Sequence, residues 1–161
     1  MGGLDFIEPR KDGLPTIGLA LIVKDEEKTL PRLLDSIGWV EDPELRAQAA
    51  VDCVVICDTG SKDKTKEIAT ARGCKVIDFE WCYNFAAARQ FSYDQLPNGL
   101  DFTLWADADD VIQSAEKLRH IAASLPPEVA GTMHVYDYAR DQHGNCLCTL
   151  WRERLVRTFV S

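Results

Sequence analysis

Asp107, Asp109 and Asp110 stand within four positions of one another in LWADADDV, residues 104 to 111, directly after an apolar run that reads as a buried strand. At roughly 4 to 6 Å and an effective dielectric near 20, each like-charged pair repels by about 3 to 4 kcal/mol, so the fold must supply a cation or spread the groups. On an extended segment Asp107 and Asp109, two residues apart, point the same way. Together they could hold one hard divalent ion, whose other positions are left for water and a diphosphate; the ion then cancels the charge. A second reading makes Asp109 or Asp110 the cap of a helix starting near 111 to 114, with Asp107 in solvent.

Other polar clusters stand at the ends of apolar runs in the same manner. IGLALIV delivers Lys24, Asp25 and Glu26; VDCVVIC delivers Asp58, Thr59, Gly60 and Ser61; CKVIDFE leads into the turn WCYNFAAAR. Between these runs lie helical patterns. Leu30, Leu33, Leu34 and Ile37 repeat at helical spacing after Thr29 and Pro31, Asp42 and Pro43 open a short helix, and KEIATAR ends at Gly73. FAAARQFSYDQL runs to Pro97, and SAEKLRHIAASL places Ala115, Leu118, Ile121, Ala122 and Leu125 on one face. Four strands alternating with helices specify an α/β fold, a mostly parallel sheet with helices on both faces. The end differs: two extended runs flank the turn DQHGN and predict a β-hairpin. Residues 1–15 lack periodicity and read as an N-terminal tail or lead-in, with one domain over 16–161. In an open parallel sheet, ligands bind beyond the carboxyl ends of the strands, where all four clusters would meet.

GLALIVKDEEKTLPRLLDSI, VVICDTGSKDKTKEIA, FAAARQFS and LWADADDV resemble, in order, the motifs of family 2 glycosyltransferases. The resemblance covers residues 16 to about 125 and implies the Rossmann-like, A-type nucleotide-diphospho-sugar fold. It implies an inverting transfer from a nucleoside-diphosphate sugar, with a UDP-sugar as the expected donor and Mn2+ or Mg2+ on the D-x-D of Asp107 and Asp109. Asp58 stands where the family accepts a hydrogen bond from uracil N3, and Glu26, with backbone near Val23 and Lys24, stands where the nucleoside is held. Arg89 matches an arginine that approaches the nucleotide, and Asp107 also faces the donor. Three positions depart from the pattern: Gln90 and Asp25 replace asparagines, and Thr59 replaces a second aspartate.

Bland roles are available for the same residues. Asp58 could fix the following turn, Ser61 and Asp63 could cap the next helix, Arg89 could lie on a helix surface and Glu26 could be a solvated loop charge. His120 and His134 read as structural. The family's base comes from a segment after the D-x-D, so the domain is expected to be C-terminally incomplete, with the base beyond Ser161; Glu153 and Asp137 are the local candidates. Glu153 shares strand parity with Trp151 and Leu155, while Arg152 and Arg154 beside it offer ion pairs. The acceptor, whether glycan, lipid or protein, has no motif. Two alternatives remain: a non-catalytic nucleotide-sugar binding module, and an aspartyl-nucleophile phosphatase, whose D-x-D-x-[TV] pattern DADDV fits but which follows a first strand rather than a fourth.

Composition narrows the classes. A net charge of −8 argues against a nucleic-acid partner. The apolar run at 17 to 23 is too short to cross a bilayer, and no transmembrane or signal segment is read, so a cytoplasmic location is expected. Cys53, Cys57, Cys74, Cys82, Cys146 and Cys148 form no C-x-x-C pair and read as reduced core thiols, against a zinc site of Cys146, Cys148 and His143.

Overall fold

The computed structural model describes residues 5–158; residues 1–4 of the expected lead-in and 159–161 lie outside it. The four apolar runs form parallel strands β1 (Ile17–Val23), β2 (Cys53–Asp58), β3 (Lys75–Asp78) and β4 (Phe102–Trp105). β5 (Gly131–Arg140) and β6 (Cys146–Arg157) form the expected antiparallel hairpin, and β6 pairs antiparallel with β4. The sheet order is β3-β2-β1-β4-β6-β5. Helices α1 (Leu30–Ser36), α2 (Pro43–Arg46), α3 (Thr65–Ala71), α4 (Phe85–Asp94) and α5 (Leu118–Ser124) fill the connections. Asp42 caps α2 as expected, accepting from the Glu44 amide at 2.9 Å.

Strand alternation sorts side chains onto two buried faces. Ile17, Leu19, Leu21 and Val23 join Leu30, Leu33 and Leu34 of α1, Ala69 of α3, and Leu118 and Ala122 of α5 in the main core. The other parity carries small residues, Gly18 and Ala20, under α4, whose Ala88 and Ser92 are buried. The packing at Gly18 is close: a Cβ would stand 2.5 Å from Leu100 Cδ1 and 3.0 Å from Leu96 Cδ2, so those leucine ends would have to shift.

The last helix departs from its apolar pattern. Ser114 takes a left-handed φ of 56°, a 3-10 turn follows at Ala115–Lys117, and α5 starts only at Leu118. Arg119 is buried while Ile121, expected inward, is 36% exposed. The reason is polar. Arg119 donates to Asp52 Oδ2 at 2.7 Å, to the Pro15 carbonyl at 3.0 Å and to the Ala49 carbonyl at 3.0 Å, and Asp52 also accepts from the Ile17 amide at 2.8 Å. Arg10 pairs with the other Asp52 oxygen at 2.9 Å. The described part of the lead-in is therefore anchored, and the Ile7 amide adds a bond to the Asn98 carbonyl at 2.8 Å.

Three thiols meet the expectation of a core position and three do not. Burial pushes Cys53 and Cys74 up to about 12 and Cys57 up to about 11, which keeps them protonated and inert. Cys82, Cys146 and Cys148 are exposed, because the loop after β3 and the hairpin carry them out of the core. Among the described residues the one His, Cys, Asp or Glu group with metal-ligand spacing is the aspartate cluster, so Cys146, Cys148 and His143 do not converge.

Candidate functional site

β2 and β3 build outward from one edge of β1 and β4 from the other, which puts a topological switch point between β1 and β4. The loops after the four parallel strands gather at this carboxyl edge. The first two are laced together. Ser61 Oγ accepts from the Asp25 amide at 2.9 Å, Thr65 Oγ1 from the Glu26 amide at 2.8 Å and Asp63 Oδ2 from the Glu27 amide at 3.1 Å. In return Asp25 Oδ1 accepts from the Lys62 amide at 2.7 Å and Glu27 Oε2 from the Lys64 amide at 3.0 Å. Ser61 thus braces the neighbouring loop rather than capping α3; the cap position is Lys64, without a side-chain cap bond, and Asp63 just before it accepts the Thr65 amide at 2.9 Å.

This lacing accounts for two departures from the family pattern. Asp25 serves as an acceptor for the second loop, and Thr59 donates its hydroxyl to the Val23 carbonyl at 3.0 Å, which a carboxylate could not do. The Val23 carbonyl also takes the Thr59 amide at 3.0 Å, so it is occupied by the protein itself. Glu26 is half-buried, and its Oε2 accepts the Thr29 hydroxyl at the start of α1. Lys24 is exposed at the rim. The third departure, Gln90, bonds Asp94 at 2.8 Å on an exposed stretch of α4.

Asp58 is 1% exposed at the end of β2. Its Oδ1 accepts from the Gly60 and Ser61 amides at 2.9 and 2.8 Å, the turn-fixing role, and Gly60 supplies the φ of 112° this turn demands. Its Oδ2 is buried with no hydrogen-bond partner among the described residues. A buried carboxylate oxygen left unpaired is costly, about 1 to 3 kcal/mol, and such exceptions point to a missing ligand or strain.

Asp107, Asp109 and Asp110 are not on an extended segment. β4 ends at Trp105, and the Asp110 amide donates to the Asp107 carbonyl at 2.9 Å, closing a turn. The strand period therefore does not set their directions; the turn does, and it adds Asp110 to the pair. One carboxylate oxygen from each lies within 4.8 Å of the others. Much of the charge is met by protein. Arg89 Nη2 stands 3.7 Å from Asp107 Oδ1, and Arg154 Nη2 stands 3.4 Å from Asp110 Oδ2. Asp110 Oδ2 also accepts the Asp107 amide at 2.8 Å, so this residue holds the turn rather than a helix. Burial and the neighbouring carboxylates raise the Asp110 carboxyl above its ordinary value, against the Asp107 amide and Arg154. Asp109 makes no hydrogen bond or ion pair among the described residues, and Asp107 is held loosely. Oxygens sharing an ion of the Mg2+ type stand about 3 to 4 Å apart, so modest turns of Asp107 and Asp109 suffice, and the all-oxygen set suits a hard cation.

Arg154 has no precedent in the motifs. Thr132 pairs with Leu155 but Met133 with Glu153, so Arg154 is the extra residue of a β-bulge. The bulge breaks alternation and buries Arg154 beside Leu155. The guanidinium lies 4.0 Å from the Trp105 ring centroid and 5.3 Å from that of Tyr136. Arg89 lies over the same Trp105 ring at 4.2 Å, and its Nη1 is buried without a partner. Arg89 is thus not a plain surface residue.

Beyond this turn a cavity of about 670 Å³ opens between β4, α1 and β5, lined by Arg32, Asp109, Asp110, His134, Tyr136 and Asp137 among others. It excludes Asp58, Glu26 and Arg89 and meets the aspartate turn from the far side. His134 has a partner after all, Thr132 Oγ1 at 2.7 Å, and burial holds its imidazole below the ordinary value. Burial and the three aspartates raise the Tyr136 phenol. Asp137 accepts from Arg140 at the cavity wall. Glu153 faces out, exposed, opposite Met133, and Arg154 pairs with Asp110 rather than with it.

The chain is similar to known proteins. TarS 1-349 of S. aureus is similar over 67% of this chain and 31% of its own, with 25% identity and a TM-score of 0.53. The same TarS fragment in complex with UDP-GlcNAc matches with a TM-score of 0.51 and 25% identity over 67% of this chain and 30% of that one. A TPR repeat-containing protein of Synechococcus elongatus is 32% identical over 103 residues, 64% of this chain and 23% of that protein. The chain thus spans less than a third of the length of these relatives. The Glycosyl transferase family 2 model matches residues 19–145, a stretch that takes in all four loops at the carboxyl edge of the sheet; the chain belongs to that family.

Proposed function

We propose that the chain forms the donor-binding part of a glycosyltransferase that takes a UDP-sugar and transfers the sugar, with inversion, to an acceptor hydroxyl. The observation that carries this reading is the buried, unpartnered Asp58 Oδ2. With Oδ1 committed to the turn, Asp58 offers one acceptor atom, which suits the single N3–H of uracil and not the paired N1–H and N2–H edge of guanine. The likeness to TarS, solved with UDP-GlcNAc, supports the same donor class. Asp107 and Asp109 would hold Mn2+ or Mg2+, which when bound supplies positive charge for the diphosphate as it departs. Arg89 presents its partnerless Nη1 from the same side, and Arg154 keeps Asp110 gripping the turn. The 670 Å³ cavity is the side from which an acceptor reaches the sugar.

Calorimetric titration with UDP, GDP and ADP in the presence of Mn2+ tests the base assignment. UDP binds most tightly, and Asp58→Ala loses about 2 kcal/mol of UDP affinity together with the preference for uridine. Tighter binding of GDP or ADP by the unmodified protein contradicts the role of Asp58.

A further inference from the structure

The loop between β3 and α4, with the first residue of that helix, carries three aromatic rings that the preceding account leaves unused: Trp81, Tyr83 and Phe85. Asp78 stands in register with Asp58, and the Phe79 amide donates to the Asp58 carbonyl at 2.8 Å, so the chain leaves the sheet beside the Asp58 backbone. It enters α4 at Phe85, four residues before Arg89 and on the same helix face, and Arg89 reaches Asp107. The loop therefore runs from the nucleobase end of the proposed donor cleft to its diphosphate end. Trp81 packs edge-on against Phe85 at 4.8 Å and Tyr83 at 6.3 Å, which gathers the rings into one patch. Tyr83 is 91% exposed and Phe85 72%. Tyr83 also holds a left-handed φ of 57°, a conformation that a bulky residue rarely adopts.

A uracil ring has two π-faces as well as its hydrogen-bonding edge, and Asp58 can serve only the edge. Neither laced loop, residues 24–29 or 59–64, contains an aromatic residue. Trp105, at the end of β4, already carries the Arg89 and Arg154 guanidinium groups over its ring. We propose that Tyr83 and Phe85, backed by Trp81, form the stacking surface for the pyrimidine ring of the nucleoside diphosphate. This rests on the donor reading given above. Stacking on an aromatic side chain is sequence-tolerant, so this surface supplies affinity while Asp58 supplies base choice.

The test is UDP affinity with Mn2+ for the unmodified chain, Tyr83→Ala, Phe85→Ala, the double variant and Tyr83→Phe, with saturation transfer from protein aromatic protons to uracil H5 and H6. Both side chains are exposed, so the variants should fold, which circular dichroism checks. The double variant is expected to lose about 10- to 100-fold in UDP affinity. It also loses the aromatic transfer to the base, whereas Tyr83→Phe retains both. UDP binding in the double variant within twofold of the unmodified chain, or transfer that persists, overturns the stacking assignment and leaves the donor reading standing. Failure of the unmodified chain to bind UDP overturns both.

Discussion

Asp107→Asn combined with Asp109→Asn removes the gain in UDP-sugar binding that Mn2+ or Mg2+ confers. The loss is on the order of 100-fold, since ligand charge count sets the affinity of an all-oxygen site. The substitution is nearly isosteric and spares the turn, because Asp110 grips the backbone amide of Asp107 and not its side chain. It also removes the carboxylate that faces Arg89, at 3.7 Å, so binding without metal should stay equal or improve slightly. Titrating UDP-glucose with and without metal into both proteins gives the answer. Equal metal dependence in the two would remove these aspartates from the site.

The largest effect on stability is expected far from the site, at Arg119. Arg119→Met takes away three hydrogen bonds and leaves the Asp52 carboxylate, 14% exposed at its side chain, without its buried cation. Breaking such a pair costs about 3 to 5 kcal/mol. For a chain of this size that lowers the melting temperature by roughly 6 to 20 °C. Because Asp52 also receives the Ile17 amide and Arg10, the loss spreads to the start of β1 and to the lead-in. Thermal unfolding followed by circular dichroism measures it, and a shift of under about 2 °C contradicts the clamp.

The sheet was legible because buried parallel strands are written as unbroken apolar runs, and each run here ends in a polar cluster. Asp58 was legible as a turn-fixing residue and as a candidate ligand group; one carboxylate oxygen fixes the turn and the other is left without a partner among the described residues. The misreadings share a cause: a residue's partner lay in a distant segment. Helical periodicity alone favours Ile121 over Arg119, and only Asp52, 67 residues away, reverses the choice. The direction of Arg154 depends on a bulge created by pairing with β5, which no local pattern in TLWRERLVR announces. The DADD cluster itself was legible, but the two arginines that meet Asp107 and Asp110 were not, because they come from α4 and β6.

The central claim is that Asp58 and the aspartate turn together hold a uridine diphosphate. A crystal structure of the chain with UDP and Mn2+ tests it most directly. The uracil N3–H is expected to donate to Asp58 Oδ2 at about 2.9 Å, with the ion on Asp107 and Asp109 and the diphosphate beside Arg89. Uridine seated away from Asp58, or an ion bound without either Asp107 or Asp109, would contradict it.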